Sequence, residues 1–221
     1  MNSTDNDNKN PATKELDTAD CYASGERAAM IWYQELRERW LGPLLGAMGK
    51  LGIKPDHLTF LSLVFGLLFC PLYFYIPWLA FVCLLLHTAI DGLDGPLARH
   101  LSVASKAGSF TDTMCDQIVV VAVAVTVMCH QDQWFPIPAG SIYIFLYTIV
   151  VVFAMVRNAM GIPYSWVVRP RLVVYTWLFL EKFFFVGTGL EHSTRIVLWI
   201  CNILFLWKVA TGFFKIRRKL D

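Results

Sequence analysis

After residue 57 the chain is dominated by six long apolar runs, at about 58–76, 77–94, 111–129, 141–158, 172–188 and 195–213. A helix needs about 20 apolar residues to cross the hydrocarbon layer of a bilayer, with a range of roughly 17–25. Only 16% of the residues are charged and 56% are hydrophobic, whereas a soluble domain carries about a quarter charged residues. The expected fold class is therefore all-α: a polytopic membrane protein with six transmembrane helices. Several runs are short, and the boundary between the first two, somewhere from Pro71 to Pro77, is soft.

The N-terminal part differs. Residues 1–22 are polar, rich in Asn, Asp and Thr, and are expected to be disordered. They hold no apolar h-region, so no signal peptide is expected. Residues 23–50 form an amphipathic juxtamembrane segment: Ile31, Trp32, Leu36 and Trp40 alternate at helical spacing with Glu35, Arg37, Glu38 and Arg39. The pattern fits a helix lying in the membrane interface with its tryptophans at headgroup level; a solvated helix packed on the body is the alternative. Residues 51–215 would form the six-helix domain, and 216–221 a basic cytoplasmic tail.

Orientation follows from the loops. Arg27, Arg37, Arg39, Lys50 and Lys54 precede the first run, and Arg99, His100 and Lys106 lie between the second and third. Arg157, Arg169 and Arg171 lie between the fourth and fifth, and Lys208, Lys215, Arg217, Arg218 and Lys219 are in the C-terminal region. The alternate loops carry almost no Lys or Arg, Arg195 being the exception. By the positive-inside rule the basic side is cytoplasmic. Both termini, and the links on that side, are expected there.

One of those links carries the chemistry. The segment DGLDGPLARHLSVASKAGSFTDTMCD holds Asp91, Asp94, Asp112 and Asp116. Spacings of three and four put each pair on one helix face. A short link would let the pairs face each other across a groove, where four carboxylates repel unless cations neutralise them. Oxygen-only ligands suit Mg2+ or Mn2+, or Ca2+ with more ligands, and two such ions can clamp a diphosphate. Gly95, Ala98 and Gly108 leave room for a ligand near the backbone, and Arg99 offers a planar donor for phosphate oxygens. Asp112 alone could be a helix N-terminal acid; the group as a whole reads as a nucleotide-diphosphate site.

The same residues resemble the signature of the CDP-alcohol phosphotransferase family, D-x2-D-G-x2-A-R-x8-G-x3-D-x3-D. The match runs without a mismatch through Asp91, Asp94, Gly95, Ala98, Arg99, Gly108, Asp112 and Asp116. The upstream stretch KPDHLTFLS, Lys54 to Ser62, also resembles one that opens the first span in this family. The resemblance implies that Asp91, Asp94 and Asp112 hold the metals, expected to be two Mg2+ or Mn2+ ions, with Asp116 near them and acting as general base. It implies that Gly95, Ala98 and Gly108 line the cytidine pocket and that Arg99 contacts phosphate. The implied reaction transfers a phosphatidyl group from CDP-diacylglycerol to the hydroxyl of a small polar alcohol, releasing CMP. Glycerol 3-phosphate and inositol or its phosphate are candidate acceptors, with Arg157, Arg169 and Arg171 as candidate acceptor-binding cations or as membrane anchors. The implied partners are these substrates and the lipid bilayer. Relatives often dimerise, so a homodimer is admitted, and no nucleic-acid partner is expected.

Two rival functions share parts of the pattern. One is a phosphotransferase using CDP-choline or CDP-ethanolamine with a lipid acceptor. The other is a divalent-cation or ion-coupled transporter, which also places carboxylates within spans; the clustering of all four acids at one membrane face argues against it. Cys70, Cys83, Cys129 and Cys201 fall in apolar runs and read as buried small hydrophobes, and Cys115 lies beside the cluster. Glu181 and Lys182 are adjacent within the fifth run, either compensating each other or with Lys182 reaching the outer interface. His87, one turn before Asp91, is either a hydrogen-bonded packing residue or a partner for that carboxylate.

Overall fold

The computed structural model describes residues 40–130, 136–160, 170–190 and 193–220, and no strand occurs among them. The helices are α1 (40–50), α2 (Pro55–Tyr75), α3 (Pro77–His100), α4 (Lys106–His130), α5 (Pro136–Ala159), α6 (Pro170–Phe184) and α7 (Thr194–Leu220). The expected polar N-terminus, most of the juxtamembrane stretch, and Arg169 lie outside the described residues.

Prolines set the punctuation. α2, α3, α5 and α6 all begin on one, because proline has no N–H to leave unpaired and its φ already suits a first turn. Pro71, by contrast, lies inside α2. The soft boundary resolves at Ile76, the single residue between α2 and α3. A residue before proline is pushed out of the α region, and Ile76 sits at φ −139° while its N–H still donates to the Leu72 carbonyl at 2.8 Å.

The structure corrects the expected ends of α3 and α4. Asp91 and Asp94 do not close their helix, which continues to His100, and α4 starts at Lys106 rather than near residue 111. Gly95, Ala98, Arg99 and Gly108 are thus helical, and only residues 101–105 form the link. α3 stops in a Schellman turn: Ser102 N–H donates to Arg99 O (3.0 Å), Val103 N–H donates to Ala98 O (2.9 Å), and Ser102 has φ +56°. The Ser105 hydroxyl accepts the Gly108 N–H at 3.0 Å and caps α4.

Among the described residues, five helical segments are long and apolar enough to cross a membrane: α2, α3, α4, Ile137–Arg157 of α5, and α7. This is one fewer than expected. α6 has 15 residues, about 22 Å at 1.5 Å per residue. It ends at Phe184, before a turn in which Gly187 and Gly189 take φ of +77° and +78°. α7 also absorbs the expected tail, staying helical through the basic residues to Leu220.

α2 packs on α3 and α4, α5 on α4 and α7, and α7 on α6. The shared core includes Phe69, Val119, Val123, Tyr143 and Phe205. Close approach depends on Gly66, where an added Cβ would lie 2.5 Å from Val119 Cγ2. Small residues at such crossings are how apolar helices gain packing contacts in lipid. Outward-facing apolar residues such as Leu67, Phe74, Leu85, Ile118 and Leu204 suit contact with acyl chains rather than water. Leu45 of α1 is buried with Leu58 and Leu97, while Trp40 and Leu44 of the same helix are exposed. The described part of the amphipathic stretch therefore packs on the body with one face and leaves apolar residues outward on another.

Opposite the aspartate end lies a second polar layer. Lys182 Nζ is 3.2 Å from His130 Nε2 and 5.3 Å from the Tyr73 ring centre. The Glu181 carboxylate accepts from the Ser193 hydroxyl (3.1 Å) and the Thr194 N–H (2.5 Å), where an anion complements the N-terminus of α7. Glu181 and Lys182 thus serve different neighbours, because successive residues on a helix point about 100° apart. Of the cysteines read as buried, Cys83 and Cys201 are, Cys70 is half-buried and Cys129 is exposed; all four, with Cys115, are free thiols.

Candidate active site

The site forms where the end of α3 meets the starts of α2, α4 and α6. The single-residue turn at Ile76 makes α2 and α3 antiparallel, which brings Thr59, near the start of α2, to Asp94, near the end of α3. The Thr59 hydroxyl donates to Asp94 Oδ2 at 2.8 Å, and the Gly95 N–H donates to Oδ1 at 2.6 Å. Both Asp94 oxygens are therefore oriented before any ligand arrives. Nothing in composition distinguishes Thr59; a hydroxyl within an otherwise apolar run, in the stretch Lys54–Ser62, was the available signal.

Asp91 of α3 and Asp112 and Asp116 of α4 each offer a carboxylate oxygen, and these oxygens lie within 4.8 Å of one another. Oxygens ligating one Mg2+ or Ca2+ stand about 2.0–2.6 Å from it, so two on opposite sides are about 4–5 Å apart. The trio matches that spacing. Asp112 Oδ1 is buried with no hydrogen-bond partner, a costly state for a carboxylate oxygen. The donor set and this orphaned oxygen fit a hard divalent cation.

From outside the motif, Arg171 of α6 reaches the trio. Arg171 stands next to Pro170 in the first turn of α6, an unfavourable place for positive charge. Two carboxylates compensate it: its Nη2 donates to Asp91 Oδ2 at 2.6 Å, and its Nη1 contacts Asp116 Oδ1. The Arg171 and Asp91 side chains are each 3% exposed, the Asp116 side chain 22%. Of the three candidate acceptor cations, Arg171 joins the cluster, Arg157 is buried at the end of α5, and Arg169 lies outside the described residues.

The remaining motif residues line the open side. Arg99 is exposed, and its guanidinium folds back over Gly95, where a Cβ would be 3.6 Å from Nη1. Gly95, Ala98 and Gly108 are half-buried. His87 is buried, and its Nδ1 lies 3.0 Å from the Ser62 carbonyl. Bonding to a carbonyl requires Nδ1 to carry the proton. His87 is thus a hydrogen-bonded packing residue between α3 and α2. Gln117 Nε2 donates to the Thr148 hydroxyl at 2.7 Å, tying α4 to α5 one residue past Asp116.

Known proteins resemble this chain in sequence and in fold. A CDP-diacylglycerol–glycerol-3-phosphate 3-phosphatidyltransferase of Yersinia pestis is 24% identical over 164 residues, covering 70% of this chain and 90% of that protein. The corresponding protein of Haemophilus influenzae is 25% identical over 141 residues, 60% of this chain and 74% of its own length. The crystal structure of Mycobacterium tuberculosis phosphatidylinositol phosphate synthase with CDP-DAG bound shares the fold with a TM-score of 0.67. That likeness covers 80% of this chain and 92% of the other, at 19% identity. The profile of one family matches residues 53–212, from the last residues before α2 to the middle of α7 and across every motif position above. On that match, over nearly three quarters of its length, the chain belongs to the CDP-alcohol phosphatidyltransferase family.

Proposed function

We propose that this membrane enzyme transfers the phosphatidyl group of CDP-diacylglycerol to the hydroxyl of a small polar alcohol bearing a phosphate, releasing CMP. The observation that carries the reading is the convergence of Asp91, Asp112 and Asp116, from two helices, within 4.8 Å at one end of an apolar bundle. Only a site at the end of the bundle lets a lipid donor enter sideways while a water-soluble acceptor approaches from the aqueous face. Glycerol 3-phosphate and inositol phosphate are the acceptors to try first, because the relatives' names carry them. Loop charges favour the cytoplasmic face for this site and for both termini.

Asp91, Asp94, Asp112 and Asp116 would hold one or two Mg2+ or Mn2+ ions. When bound, such ions neutralise a diphosphate and stabilise the oxygen that leaves with CMP. Asp116, the more exposed partner of Arg171, takes the proton of the acceptor hydroxyl as its oxygen attacks the β-phosphorus. The bond from that phosphorus to the CMP oxygen breaks. Arg99, over Gly95, binds phosphate oxygens, and Gly95, Ala98 and Gly108 leave space for the cytidine. Arg157, Arg169 and Arg171 are the candidate cations for an acceptor phosphate.

The test is CMP release by the purified protein in lipid nanodiscs with CDP-diacylglycerol and Mg2+ or Mn2+. Serine, glycerol 3-phosphate, inositol and inositol phosphate are offered in turn. Release with a phosphorylated acceptor is expected; silence with every acceptor would overturn the reading.

The orientation of Asp94 gives a second expectation. Thr59→Val keeps the shape but removes the hydroxyl that donates to Asp94 Oδ2. Losing such a supporting hydrogen bond typically costs roughly 10–100-fold in metal affinity or activity. CMP release is expected to fall by about tenfold, with Thr59→Ser close to the parent. Equal rates for Val and Thr would remove Thr59 from the site.

A further inference from the structure

Arg171 lies 80 residues beyond Asp91 in sequence, yet its guanidinium holds two of the four carboxylates assigned to the cations. Asp91 belongs to α3 and Asp116 to α4, so one planar fork bridges both walls of the groove. The geometry is that of a resident counter-ion: a positive group on the carboxylates a divalent cation needs, in a pocket where Asp91 and Arg171 are both 3% exposed. A guanidinium and a divalent cation on the same two carboxylates repel each other at short range with little water between them. Arg171 must then loosen its hold on at least one carboxylate as the site loads.

We infer that Arg171 competes with the divalent cation for Asp91 and Asp116, and so sets the cation concentration at which the site fills. The inference rests on the reading of these carboxylates as a cation site. It differs in sign from a purely positioning role. If Arg171 only held Asp91 and Asp116 in place, removing it would weaken cation binding. As a competitor, its removal leaves the cluster one unit more negative and its oxygens open, and cation binding tightens. The helices have other means of staying assembled: α2 packs on both α3 and α4, and Thr59 and Ser62 tie α2 to α3 independently of Arg171.

The experiment measures Mn2+ binding by the loss of the free-ion electron paramagnetic resonance signal, with full-length protein in nanodiscs and no nucleotide present. Thermal unfolding is followed without Mn2+ and at saturating Mn2+. Arg171→Gln is expected to lower the apparent Kd for Mn2+ by roughly tenfold, the scale of one unit charge at close range. Its Tm without Mn2+ should fall, and saturating Mn2+ should raise it by more than in the parent. Lys182→Gln, at the other end of α6, is expected to leave the Mn2+ affinity unchanged. Arg171→Lys keeps the charge but loses the fork, and should bind Mn2+ with intermediate affinity; it also decides the matter if the Gln variant does not fold. Weaker or equal Mn2+ binding by both Arg171 variants would overturn the competition while leaving the cation site standing. A parent protein with no saturable Mn2+ binding would overturn the cation reading itself, and this inference with it.

Discussion

Asp116→Asn is expected to lower the rate of CMP release by roughly 10²- to 10⁴-fold, the range a positioned general base supplies. The substitution changes almost nothing in volume. It removes one negative charge and the lone pairs basic enough to take a hydroxyl proton. The structure marks Asp116 as the carboxylate of the Arg171 pair open to a ligand: its side chain is 22% exposed, against 3% for Asp91. The fold should survive, since Arg171 keeps Asp91 and an asparagine oxygen can still accept from the guanidinium. CMP release at saturating donor, measured with the thermal unfolding midpoint, separates the two effects. A rate restored by excess Mn2+ would show that Asp116 serves as a cation ligand alone, and a rate within threefold of the parent would remove it from catalysis.

Gly66→Ala is expected to destabilise the bundle by about 1–3 kcal/mol, the usual cost of overpacking, despite the better helix propensity of alanine. The added Cβ would lie 2.5 Å and 2.7 Å from the two methyl groups of Val119 and 3.2 Å from its Cβ. Valine has one favoured rotamer in a helix, and Val119 is fully buried, so side-chain rotation cannot relieve the clash. The helices must separate instead. Val119 lies one turn from Asp116 on α4, so the same movement displaces the carboxylates and activity falls with stability. Gly140→Ala provides the contrast. Its Cβ would meet Met128 Sδ at 2.5 Å and Cγ at 2.7 Å, but methionine is unbranched and can rotate both aside. Denaturation in detergent of the two variants, and of Gly66→Ala combined with Val119→Ala, checks the account. A Gly66 variant as stable as the Gly140 variant would refute it.

Much of the site was legible because its residues are close in sequence. Two pairs of aspartates at helical spacing, an arginine and small residues fall within 26 positions, and two helices joined by a short link bring such pairs together. Other parts were hidden for definite reasons. The helix ends near the motif were misread because hydropathy falls where charges begin, whereas the backbone hydrogen bonds continue to His100. The length of α6 was overstated because apolar residues continue past Phe184 into a glycine turn. Arg171 carried the right residue type but no indication of its neighbours, and the choice between the two readings of Glu181 and Lys182 stayed open because adjacency in sequence does not say which neighbours each side chain meets.

The sequence by itself determined the class of fold, the side of the bundle that carries positive charge, and the eight motif positions. Each of these rests on local properties: apolar length against bilayer thickness, charge in the links, and spacing along one or two helices. Tertiary structure alone decided that Thr59 orients Asp94, that Val119 requires a glycine at 66, and that Arg171 reaches the carboxylates from 80 residues away. Those contacts join helices distant in the chain. Their partners are chosen by how helices cross and which side chains then share a buried volume, a property that no single stretch of sequence contains.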